Sequence, residues 1–169
     1  MGYRTDFSGS FKLDKSLTTE HAAYLKAFSW SRRMKRDAAK TAERSDIVRK
    51  AAGLGVGVEG GYFVGESGFM GQDFGGHDII DVSQPPKGQP NLWCHWIPSE
   101  DGTAIEWDYG ERFYDYTDWI AYLIHHFLEP WGYVVNGEVE WQGEDPDDIG
   151  KIVVKNNMVS ALAGRKVYG

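Results

Sequence analysis

The chain has 169 residues, of which 41% are hydrophobic and 14% aromatic, enough for one domain with a real core. No apolar run approaches the roughly 20 residues of a membrane span, and the start MGYRTDFSGSFKLDK lacks the apolar centre of a secretion signal. The one cysteine, Cys94, excludes an internal disulfide, and a cytoplasmic protein is the simplest reading. The net charge of -7 is uneven: residues 32–50 carry eight basic and three acidic groups, residues 51–150 two basic and nineteen acidic, and residues 151–169 four basic and none acidic. That layout bears on solubility and encounter rather than on fold.

In chain order, Tyr3–Asp14 alternates and predicts a strand with a bulge at Gly9. LTTEHAAYLKAFSWS switches to helical spacing, with Thr18 or Thr19 as cap. Residues 32–50 read as one basic surface helix, rich in alanine and long charged side chains and stopped by Gly53. Residues 53–90 form a Gly/Pro-rich insert, with ten glycines between Gly53 and Gly76 and a short hairpin expected at GYFVG. NLWCHWIP then predicts a strand, Asp101-Gly102 a hairpin turn, and AIEWD the returning strand. The best helix begins near Thr117 or Asp115 and ends at Pro130 and Gly132. A strand follows, bent or turned at Asn136-Gly137, and then a last strand with a hairpin at Asn156-Asn157. The order matches an α+β, ferredoxin-like (split βαβ) plan in a single domain, with an antiparallel sheet and helices on one face.

Few motifs carry chemistry. GEDPDDIG misses two oxygen positions of an EF-hand calcium loop, at Ile149 and Asn156, and its crowded acids beside Pro146 suit a solvated turn. His125 and Glu129 have the i, i+4 spacing of metal ligands, but nothing supplies a second half, so a charged helix surface is the plainer reading and no metal or cofactor is expected. On a strand, Cys94 and His95 point to opposite faces. GESGF carries Phe69 where a nucleophile elbow needs glycine, and GLGVGVEGG lacks the lysine of a phosphate loop. Arg32, Arg33 and Arg36 could meet phosphates, yet they spread around a helix beside an acidic body, so nucleic acid is not expected.

Six of the seven tryptophans fall between residues 93 and 141, and the alternation places some of them on the open face of the sheet. Tryptophans flanked by acids suit a protein-binding surface, with dimerisation through the sheet as the other outlet.

The stretches MGYRTDFSG and ERFYDYTDW … GEVEWQGEDPDDIG resemble small phage and prophage proteins of largely unassigned function. Those begin MGYRSDV and carry a similar aromatic helix start and a GED-x-DDI turn. On this resemblance Tyr114, Tyr116, Gly143, Glu144, Asp145, Asp148 and Ile149 align with the group's pattern, while the basic helix and the insert depart from it. It implies a viral or mobile-element origin. The expectation is an acidic binding protein of the bacterial host cytoplasm that contacts a host or defence protein of basic surface through Trp93, Trp96, Trp107, Glu144, Asp145, Asp147 and Asp148. The alternatives are a small-molecule binder using Arg32, Arg33, Arg36 and His95, and a metal-dependent enzyme using His125 and Glu129.

Overall fold

A computed structural model describes residues 2–65 and 76–164. It is a mixed α+β structure that divides into two compact units, one of residues 1–16 and 95–169 and the other of residues 17–94.

The first unit is a six-stranded sheet. Its strands are β1 (Thr5–Leu13), β4 (Trp96–Pro98), β5 (Ala104–Trp107), β6 (Val135–Gly143), β7 (Ile149–Lys155) and β8 (Met158–Ala163), in the spatial order β4-β5-β1-β6-β7-β8. Every pairing in it is antiparallel. β5 and β6 flank β1 and are joined by the helix α4 (Tyr116–Leu123), so they run parallel to each other. Alternation sorts the side chains. Phe7 and Phe11 of β1, Val135 and Val139 of β6, and Ile152 and Val154 of β7 are buried on one face. Asp6, Ser8, Glu138, Glu140 and Lys151 take the opposite parity and stand on the other. α4 starts over the buried face, where the Tyr116 ring lies 5.0 Å from Phe7 and 5.5 Å from Trp141, and the Tyr116 carbonyl accepts the Trp96 indole N–H at 2.8 Å.

Two details of this sheet depart from the sequence reading. Gly9 makes no bulge, because β1 and β6 pair without a register shift from Thr5 opposite Gly143 to Leu13 opposite Val135. Nor does Asn136-Gly137 turn the chain, since Gly137 sits inside β6 opposite Phe11 and Val154. Both glycines serve close approach instead. A Cβ at Gly9 would come within 2.6 Å of the Glu138 carbonyl oxygen, and one at Gly137 within 2.7 Å of the Ser10 carbonyl oxygen. The turns at Asp101-Gly102 and Asn156-Asn157 do form. Asn156 and Asn157 both have positive φ, as a tight hairpin turn requires. α4 ends in a π-helical turn, Ile124–Leu128, before Pro130 and Gly132.

The second unit holds α1 (Thr19–Ser29), a two-stranded ribbon of β2 (Lys35–Arg36) and β3 (Ile79–Asp81), the short helices α2 (Ala38–Ala42) and α3 (Ile47–Ala51), and a 3-10 turn at Val58–Gly60. Thr18 caps α1 by accepting the His21 N–H. The single basic helix expected over 32–50 is replaced by β2 and two five-residue helices. The reason is electrostatic. Arg33, Arg36 and Arg49 are buried, so the segment cannot lie on the surface with its charges in water. Asp37 breaks the run by capping α2, and Asp46 precedes α3 while accepting from Arg49 Nε at 2.5 Å.

Asp78 is the hub. It is 0% exposed and accepts from Arg36 at 2.8 Å, Arg44 at 2.9 Å and Thr41 at 2.9 Å. Arg36 and Arg44 also lie over the Phe63 ring, at 4.6 and 5.0 Å. Arg33 donates to the carbonyls of Gly61 and Phe63, so GYFVG is held as turns by buried donors rather than forming a hairpin. The GESGF stretch beyond Gly65 lies outside the described residues.

Burial pushes the Asp78 carboxyl up, but the bonds from Arg36 and Thr41 and the charges of Arg36 and Arg44 outweigh it and hold the group below the usual carboxylate range. Its stabilisation is therefore present above the ordinary value of about 3.9 and is lost as pH falls through the lower folded pKa. Asp46 leans the other way, because burial raises it even against Arg49. Asp78→Ala would strand buried cations, and we expect urea denaturation to show a loss of about 3–5 kcal/mol near neutral pH. The difference from the wild type should shrink as the solution is acidified below about pH 4. A loss under about 1 kcal/mol would remove Asp78 from this role.

Candidate functional site: the acidic turn and the open sheet face

The five residues Glu144–Asp148 join β6 to β7. Gly143 N–H donates to the Asp148 carbonyl at 2.8 Å, and Asp148 N–H donates to the Asp145 carbonyl at 2.9 Å. Asp145 Oδ1 accepts the Asp147 N–H at 2.9 Å, a local aspartate turn. The N-terminal segment straps this turn. Tyr3 Oη donates to Asp148 Oδ2 at 2.8 Å and accepts the Asp145 N–H at 3.1 Å, and Arg4 N–H donates to Glu144 Oε1 at 2.8 Å. From the sheet, Trp141 Nε1–H donates to Asp148 Oδ1 at 3.0 Å. Tyr114 Oη accepts the Tyr3 N–H at 3.2 Å. A Cβ at Gly143 would meet the Asp148 carboxylate and the Tyr3 hydroxyl at 2.2 Å, so a side chain there would push these two groups from their present positions. Tyr116 is pushed up to about 12, chiefly by burial and then by the nearby Asp148 and Tyr3.

The acids of GEDPDDIG thus divide by role. Asp148 is tied into the fold through both carboxylate oxygens. Glu144, Asp145 and Asp147 are exposed on a turn already fixed in shape. The three stretches that carry the sequence resemblance, around Tyr3, Tyr114–Tyr116 and Gly143–Ile149, meet in this one network.

Beside the turn, the face of the sheet opposite the buried side forms an open trough of about 730 Å3. The pairings Asp6–Gln142, Ser8–Glu140, Glu140–Lys151 and Lys151–Leu162 lay its lining out in rows across four strands. Its β1 and β6 wall is polar, from Asp6, Ser8, Glu140 and Gln142, and its far wall combines the aliphatic Ile149 and Leu162 with Lys151, which stands opposite Glu140. Leu162 is 53% exposed, and Met158 on the same edge strand 72%.

The tryptophans are placed otherwise than the sequence suggests. Trp96 and Trp107 are 1% and 6% exposed, and the register pairs them across β4 and β5 on the buried face. There Phe7 touches both rings, at 5.3 and 5.2 Å. They are core residues rather than contact residues, and truncating either would cost about 3–5 kcal/mol. Trp119 is buried, and Trp141 lies half-buried on the same side as Phe7. Trp93 is half-buried in the unit of residues 17–94.

The arginines of the small-molecule alternative are also spent internally. Arg32 donates to the Val82 carbonyl, Arg33 to Gly61 and Phe63, and Arg36 to Asp78. His95 Nδ1 faces the Asp108 carboxylate at 3.0 Å beside the Phe113 ring. His125 and Glu129 are exposed at the π-helical turn, and among the described residues no group of three or more His, Cys, Asp or Glu converges on a metal position.

Sequence reasoning missed Tyr3, whose only signal was its place in the MGYR start, and the His95–Asp108 pair, whose signal was the facing strands around the Asp101-Gly102 turn. Comparison with protein-family models, curated proteins and solved structures finds no match for this chain.

Tyr3→Phe removes the hydroxyl that bridges Asp148 and the Asp145 N–H. We expect faster hydrogen exchange at Gly143, Asp145 and Asp148 and unchanged exchange at Val139 and Ile152. A uniform rise across the sheet would show that Tyr3 supports the whole fold rather than the turn.

Proposed function

We propose that this chain is a small phage- or prophage-encoded acidic binding protein that acts by stoichiometric contact with a basic protein surface in the bacterial host cytoplasm, inhibiting a host or defence factor by covering it. The observation that carries the reading is the turn itself. Glu144, Asp145 and Asp147 are exposed on a scaffold that Tyr3, Trp141 and Asp148 hold in shape, beside a trough that is open among the described residues. Fixed acids steer a basic partner during encounter. A turn ordered before binding gives up little further entropy on association. Aliphatic side chains exposed beside a charged rim suit a protein contact.

The resemblance of the MGYR start and the GEDPDDIG turn to phage proteins supports the mobile-element origin. The spatial order β4-β5-β1-β6, with α4 crossing from β5 to β6, supports the ferredoxin-like reading of the core. On this reading β7 and β8 extend the sheet, and in chain order residues 17–94 take up the connection in which the first crossover helix is expected. The open face argues against single-stranded nucleic acid. Its charged side chains are Asp6, Glu106, Glu138 and Glu140 against Lys12, Lys151 and Lys155, and none of its outward positions holds an aromatic ring for bases to stack on.

The test is affinity capture from host lysate at low and high salt, with the triple variant Glu144→Lys, Asp145→Lys, Asp147→Lys alongside. The expected result is one stoichiometric partner, released by salt and captured about tenfold less by the variant, equivalent to roughly 1.4 kcal/mol. Capture of no protein, or capture that ignores the triple change, would overturn the proposal.

A further inference from the structure

The two edges of the six-stranded sheet are unlike. β4 is three residues long and ends in Pro98, which blunts it. β8 runs for six residues, Met158–Ala163, with no charged residue, no proline and no register shift against β7. An edge in that state is a template for another strand.

The hairpin fixes which backbone groups this edge offers. Lys155 opposite Met158 closes the turn at Asn156-Asn157, and Gly164 N–H donates to the Ile149 carbonyl at 2.7 Å. In an antiparallel ladder every second residue bonds to the same neighbour. Met158, Ser160 and Leu162 therefore bond toward β7, and the N–H and C=O groups of Val159, Ala161 and Ala163 point out of the sheet. On the open face the same strand shows Met158 and Leu162, 72% and 53% exposed, on either side of the exposed Ser160.

We infer that β8 pairs antiparallel with β8 of a second copy, about a two-fold axis at Ser160, and joins the two sheets edge to edge. This self-association stands apart from the partner contact proposed above and does not depend on it. Symmetry selects the occupant, because a two-fold contact needs a surface complementary to itself. Around Ser160, Val159 of one copy exchanges both backbone hydrogen bonds with Ala161 of the other. Met158 then falls opposite Leu162 of the other copy, in the closer kind of cross-strand pair, which lacks direct hydrogen bonds. Both exposed apolar side chains of each copy are covered. An axis one residue on, at Ala161, would leave Met158 opposite Gly164 and Leu162 opposite Ser160. The strand has no charge to meet its like across the junction. Lys151 and Lys155, which stand opposite Leu162 and Met158 in β7, border the apolar pairs with alkyl stems. A strand pair of this length buries less than the roughly 1,000 Å2 of a standing interface. The dimer is accordingly weak, with a Kd on the order of 0.1 mM.

The experiment follows the full chain by sedimentation velocity over a concentration series that brackets this value. Ala161→Pro removes an outward N–H and leaves the ladder to β7 its hydrogen bonds, and Leu162→Asp puts a charge into the apolar pair. Ser160→Cys gives a readout that survives if the proline variant misfolds. Its two thiols would face each other with Cα atoms about 4.5 Å apart, within disulfide reach, whereas the chain's own Cys94 is buried. Ser8→Cys, exposed on the same face but on β1, is its control. The expected result is a wild type that passes from monomer to dimer, with Kd raised at least about tenfold by Ala161→Pro and by Leu162→Asp. Mild oxidation should link Ser160→Cys into dimers and leave Ser8→Cys monomeric. A wild type that stays monomeric across the series would overturn the inference. So would a dimer that ignores both edge variants, or linking of Ser8→Cys as readily as of Ser160→Cys.

Discussion

The register of β1 on β6 is the constraint on which the rest of this unit depends. Nine consecutive positions pair, from Thr5 opposite Gly143 to Leu13 opposite Val135. That one alignment sets Phe7 beside Trp141 in the core, Asp6 beside Gln142 and Ser8 beside Glu140 on the open face, and Tyr3 next to the turn that follows Gly143. A slip of one residue would exchange the two faces of β1, burying Asp6 and Ser8 and exposing Phe7 and Phe11. The chain places more than 120 residues between these strands, so the alignment is a non-local one whose closure costs chain entropy. It is specified by the aromatic face of β1 and by Gly9 and Gly137, which allow the two backbones to approach where any side chain would collide.

The other unit is organised by charge rather than by apolar periodicity. The described residues of its glycine-rich segment up to Gly65 have little side-chain surface to bury, and buried donors and acceptors hold them instead. Arg33 binds the carbonyls of Gly61 and Phe63, Gln89 also donates to Gly61, and Asp46 receives the Val64 N–H. Such a network is satisfied only as a whole, because losing one member leaves the others buried without their counter-charge. The excess of positive charge over residues 32–50 therefore goes partly to internal use, and it says less about partners than its size suggests.

Much of the first unit was legible in the sequence because local signals agreed. Asp101-Gly102 and Asn156-Asn157 mark hairpins and Pro130-Gly132 a helix end, and in the other unit Thr18 marks a helix start. The failures came where tertiary context overrode a local preference. Alanines and lysines in 32–50 favour a long helix, but no sequence pattern announces that Arg36 and Arg44 will meet Asp78 across the glycine-rich insert. Of the strand expected over NLWCHWIP only Trp96–Pro98 forms, and although alternation separates Trp96 from Ile97 there, it does not say which face is covered. Trp96 and Trp107 were assigned outward for that reason and proved to be core. In the turn, proline and crowded aspartates announced local structure, while the separate role of Asp148 depended on Tyr3, whose partner lies 145 positions away.

These pieces make one statement about function. The fold spends Trp96, Trp107 and Trp119 and the buried arginines Arg33, Arg36 and Arg49 on itself, and among its exposed features is an acidic turn held in shape beside an open trough. The most direct measurement of the proposed contact is a hydrogen-exchange footprint of the chain with and without the protein that capture from host lysate yields. The account predicts slowed exchange in the 143–148 turn and along β7 and β8, with residues 17–94 unchanged. Protection confined to residues 17–94, with the turn and the outer strands exchanging as before, would contradict it.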